Sequence, residues 1–104
     1  MQQPCHYAEL QVVFLTPEEG GRKQPPWLDD QQYRPHLRVP PGTEMLGVEF
    51  VDGPEGPAPV GVSVSATVRF VYEPQISYAA LQVGAEIEVL EGAHVVARGK
   101  VTLL

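Results

Sequence analysis

Three histidines, one cysteine and two acidic pairs are the residues of this chain whose types could do chemistry. A zinc site gathers three or four His, Cys or carboxylate ligands about 2 Å from one ion, and closely spaced ligands are its usual signature. Here His6, His36 and His94 lie far apart, and Cys5 adjoins only His6. That spacing matches no metal set, and no Cys–His or Ser–His–Asp grouping emerges from it. Glu18-Glu19 and Asp29-Asp30 are adjacent carboxylates in turn-rich sequence, which read as solvated loop charge rather than as acid/base partners. No Gly-x-x-x-x-Gly-Lys-[Ser/Thr] loop is present to cradle phosphates. The expectation is a non-enzymatic chain with no catalytic residue, no metal ligand, no cofactor and no bound nucleotide.

The residues better suited to binding cluster in one stretch. Pro17 to Arg34 has neither helical nor strand periodicity and is longer than an economical connection, which marks it as functional. It carries Arg22 and Lys23, then Trp27 after two prolines, then Tyr33 and Arg34. Arg22 and Lys23 could meet an anionic partner, or Arg22 could pair with Glu18 or Glu19 and tie the turn. Trp27, the one tryptophan, either anchors an interface or packs back as the loop's own small core. Tyr33 is expected to pack the loop onto the fold, and Arg34 to bond loop carbonyls. Gly92 and His94, at a second and opposite turn, complete the candidate set.

These side chains need a scaffold, and its type is legible. A length of 104 residues with 43% hydrophobic content is one domain with a real core. From Val60 to Glu73, residues Val62, Val64, Ala66, Val68, Phe70 and Tyr72 share one face, a two-residue period that means a half-buried strand. Its length predicts a bend or bulge within it. Further strands are expected at Glu9–Thr16, with Leu10, Val12 and Phe14 inward, at His36–Val39 and at Met45–Val51. A closing hairpin pairs Ala85–Leu90 with Val95–Leu104, whose Val95, Ala97, Gly99, Val101 and Leu103 share a face. Gly92 supplies the positive φ its turn needs. Tyr78 to Val83 offers at most one helical turn. Six short strands punctuated by Pro and Gly predict an all-β, six-stranded antiparallel closed barrel, since closure removes open edges.

Net charge is −6, from 13 acidic and 7 basic residues, which opposes phosphate binding by Lys and Arg. A single cysteine permits no internal disulfide and suggests a reducing, cytoplasmic setting. The first residues lack a basic and apolar leader, and no apolar run is long enough for a membrane helix.

Phe14-Leu15-Thr16-Pro17-Glu18-Glu19-Gly20-Gly21-Arg22, then Pro25-Pro26-Trp27, then Tyr33-Arg34-Pro35, resembles the opening of the third domain of elongation factor Tu. The closing Glu91-Gly92 turn, with Val95-Val96-Ala97-Arg98-Gly99-Lys100-Val101 after it, is similar to that family's last hairpin. The resemblance runs from about Tyr7 to the last residue. It implies a six-stranded antiparallel barrel that holds aminoacyl-tRNA and an exchange factor and does no chemistry itself. It also implies that Arg22 and Gly92 stand where the family touches the tRNA backbone. Lys23 and Gln24 replace a histidine and a threonine there, and Arg38-Val39-Pro40-Pro41 replaces an Arg-Thr-Thr run. Glu73-Pro74 falls where the family has Lys-Pro, a charge reversal at a phosphate contact. The partner expected is therefore another protein, associated with translation; tRNA is the disfavoured alternative.

Overall fold

The computed structural model describes residues 6–104. Six strands form: β1 (Tyr7–Phe14), β2 (His36–Arg38), β3 (Leu46–Asp52), β4 (Ser63–Phe70), β5 (Glu86–Glu91) and β6 (His94–Leu103). They close into a barrel in the order β1-β4-β3-β2-β5-β6, and every neighbouring pair is antiparallel. Cys5 and the residues before it lie outside the described residues.

The alternation that predicts the strands also fills the lumen. Leu10, Val12 and Phe14 of β1, Ala66, Val68 and Phe70 of β4, and Ile87 and Val89 of β5 are all buried. β3 departs from alternation, because Leu46 to Phe50 are buried without a break. Its outer face is covered: the Tyr72 ring lies over Gly47, where a Cβ would come within 2.4 Å of it, and Glu49 sits beneath two arginines. Aromatic groups plug both ends of the lumen. Phe14, Tyr33 and Phe50 meet at one end, with ring centroids 5.3–6.5 Å apart. At the other end Phe70 and Tyr78 stack at 4.5 Å.

Several expected details shift. The long strand is only Ser63–Phe70, pairing without interruption to β1, and the bulge opposite it lies on β3 between Phe50 and Asp52. Val62 and Tyr72, expected to face inward, fall outside the strand and are half exposed. Leu103 is also exposed, because β6 has reached the barrel rim there. A second irregularity, between Val89 and Leu90 in the β5–β6 pairing, lets Val96 as well as Ala97 be buried. Tyr78 to Val83 forms hydrogen-bonded turns, the first from Leu81 N–H to Tyr78 O at 2.9 Å, and no helical turn. The one helical element among the described residues is a 3-10 turn at Pro17–Glu19, fixed by the Thr16 N–H donating to Glu19 Oε1 at 2.9 Å.

Strand directions sort the connections by end. β1, β3 and β5 start at one end, where β2, β4 and β6 finish. The 15–35 loop, the 53–62 connection and the β5–β6 turn therefore share the opposite end. This placement assembles the candidate site.

Candidate functional site

The 15–35 loop is held by its backbone before any side chain is considered. Gly21 N–H donates to Thr16 O at 2.9 Å, and a Cβ on Gly21 would lie 2.1 Å from Leu15 O, so only glycine fits. Phe50 N–H donates to Tyr33 O and Val48 N–H to Pro35 O, which lays the end of the loop along β3. Trp27 bridges Pro57, and Ala58 N–H donates to Pro26 O at 2.8 Å, joining the loop to the 53–62 connection. Leu28, fully buried, pins this middle portion into the core.

A side-chain clasp then ties the loop to the hairpin. Arg22 Nη1 donates to Glu91 Oε2 at 3.0 Å, and the Tyr33 hydroxyl donates to the same oxygen at 2.6 Å. The Arg22 guanidinium also lies 5.4 Å from the centre of the Tyr33 ring. Burial, helped by the bond to the Glu91 carboxylate, pushes the Tyr33 phenol well above its ordinary value. The arginine of the turn therefore pairs across to the hairpin and with neither Glu18 nor Glu19; Glu19 is engaged by Thr16. Gly92 and His94 are not opposite the loop. Gly92 has φ 59° in the tight turn joining Glu91 to His94, and His94 lines a shallow hollow shared with Arg22 and Glu91.

Arg34 has a different role from the one its sequence suggests. It bonds no loop carbonyl; its Nε donates to Glu49 Oε2 at 2.9 Å, while Arg69 Nε donates to Glu49 Oε1 at 3.1 Å. Glu49 is only 6% exposed, so the two arginines neutralise a carboxylate that burial would otherwise penalise. Arg38 is committed likewise, bonding Glu88 Oε1 at 2.7 Å. Of the 7 Lys and Arg residues, Lys23 and Lys100 make no ion pair among the described residues.

Trp27 is 52% exposed although its backbone is fixed by the bridge to Pro57. It borders a cleft of about 260 Å³ lined also by Arg22, Pro25, Pro26 and Tyr33. The structure thus brings Arg22, Tyr33, Gly92, His94 and the loop tryptophan to one end, and assigns Arg34 to the barrel wall. Glu91 is the residue that sequence reasoning missed. Its signal was its place at the edge of the Gly92 turn, but only the topology carries that turn to the loop. No cluster of His, Cys, Asp or Glu among the described residues has metal-binding geometry.

Comparison with family models and with curated proteins finds no match for this chain.

Proposed function

We propose that this chain is a non-catalytic protein-binding module of the elongation factor Tu third-domain type, associated with translation, and that it binds through the loop end. The observation that carries this reading is Trp27, a half-exposed indole on backbone that is already immobilised. A large aromatic with few rotatable bonds contributes contact area at small entropic cost, which is why such residues dominate interface energetics. Pro25 and Pro26, which line the same cleft, and Pro57, bridged to Trp27, add rigid apolar surface, and the same loop carries Lys23, which makes no ion pair among the described residues.

The distribution of charge favours protein over RNA as partner. Phosphate binding needs cations free to displace counterions. Arg22, Arg34, Arg38 and Arg69 spend theirs on Glu91, Glu49 and Glu88. Glu73, at the position where the resemblance has a lysine, adds a negative charge. The barrel's apolar side chains face the lumen, the reverse of a lipid-facing wall, and this supports an aqueous setting such as the cytoplasm.

The test is capture from native extract with the wild-type chain and with Trp27→Ala, each first shown by circular dichroism to be folded. Loss of specific proteins with the variant supports the reading. Recovery of the same proteins by both removes the loop end as the binding surface. Retention of RNA that falls steeply with salt would favour the nucleic-acid alternative.

A further inference from the structure

A large cavity lies at the other end of the barrel, away from the loop. It encloses about 840 Å³, a size typical of small-molecule sites. Its floor is the stacked pair Phe70 and Tyr78 with Leu81, all buried. Ile76 and the exposed Val83 form the walls. The floor is rigid, because the Tyr78 hydroxyl donates to Gly47 O at 2.6 Å and accepts from Tyr72 N–H at 3.1 Å.

Among the described residues, one acidic side chain borders this largely apolar space. Glu73 lines it, and its Oε1 accepts from the His6 backbone N–H at 3.1 Å and contacts the His6 ring Nδ1. Its Oε2 has no hydrogen-bond partner among the described residues. No Lys or Arg lines the cavity among the described residues. A carboxylate at the edge of an aromatic pocket, one of its oxygens without a hydrogen-bond partner among the described residues, in a chain of net charge −6, is complementary to a cation with an apolar body.

We infer that this cavity binds a small organic cation, an aromatic or branched apolar amine whose body rests on Phe70, Tyr78 and Leu81 and whose ammonium donates to Glu73 Oε2. The site is independent of the loop end and needs no partner protein. It gives Glu73 a positive role where the resemblance implies only a lost phosphate contact.

The test uses 2-phenylethylammonium and its neutral isostere 2-phenylethanol as probes, with untagged chain followed by NMR. The amine should shift the Ile76, Leu81 and Tyr78 signals saturably and leave Trp27 unmoved. It should bind about tenfold more tightly than the alcohol, the value of one charge-assisted hydrogen bond. Glu73→Gln should abolish that preference. Val83→Lys, at a lining position that is 62% exposed, should weaken the amine and spare the alcohol. Equal affinity for both probes, an unchanged preference in both variants, or no saturable shift at Ile76 and Tyr78 would overturn the inference.

Discussion

The Tyr33 hydroxyl and the Arg22 guanidinium converge on a single oxygen of Glu91, at 2.6 and 3.0 Å. Two donors from one loop thus share an acceptor on a hairpin 58 and 69 residues further along the chain. The loop is closed on itself by an atom that belongs to neither of its ends. Removing one donor should loosen the loop without unfolding the barrel. Tyr33→Phe keeps the ring packing on Phe14 and Phe50 and deletes the hydroxyl alone. It should cost about 1 kcal/mol in denaturant unfolding and raise hydrogen exchange in the 15–35 loop.

Alkali should act on the same phenol. The Tyr33 pKa is raised in the fold above an ordinary value near 10, so its contribution to stability is complete below pH 10 and is lost as pH climbs above it. Unfolding free energy should therefore fall above about pH 10. Tyr33→Phe should flatten most of that slope. A remainder should persist from Tyr78, whose phenol burial also pushes up.

The Arg22–Glu91 pair should couple weakly despite its good geometry. Both side chains are about one-third exposed, at 33% and 35%, so water competes for each charge. A double-mutant cycle with Arg22→Ala and Glu91→Ala should return about 0.5 kcal/mol, falling with salt. Glu49→Ala should cost more, about 2 kcal/mol, because that carboxylate is buried and serves Arg34 and Arg69 together.

Two glycines should fail in different ways. A Cβ at Gly99 would lie 1.9 Å from Gln11 O, in the backbone of the neighbouring strand, so Gly99→Ala must part β1 from β6. About 3 kcal/mol or more of stability should be lost, read as a fall in the denaturant midpoint. Gly20 has open space around its Cβ position and φ 94°, so Gly20→Ala should cost only the backbone strain, about 1 kcal/mol.

Trp27 should report on binding directly, since no other tryptophan contributes to emission. Free chain should emit at the solvent-exposed end of the range and be quenched readily by iodide. A bound partner should shift the emission to the blue and protect it from quenching. An unchanged spectrum in a complex would place the partner elsewhere.

The barrel was legible because its signals are local. Period-two runs such as Val64 to Phe70 state both the strand and its buried face, and Gly92 marks the hairpin that the structure contains. The errors arose where strands end. Val62, Tyr72 and Leu103 continue the apolar pattern past the rim, and nothing local says where a partner strand stops pairing. The clasp was unreadable for a related reason. Glu18 and Glu19 are nearer to Arg22 in sequence, but the chain turn made by Gly20 and Gly21 and the delivery of Glu91 by β5 decide the pairing. Arg34 departs from its expected role because Glu49 looks like one more strand carboxylate until the 30–35 segment is laid across it.

The start of β1 and the finish of β6 both fall at the end of the barrel with the Glu73 cavity, and the Trp27 loop is at the other. The molecule therefore has a polarity. Anything joined close to the start of β1 or the finish of β6 meets the barrel at the cavity end, opposite the loop. A chain held close to those two strand ends is presented in one orientation, with the Trp27 loop at the far end of the barrel.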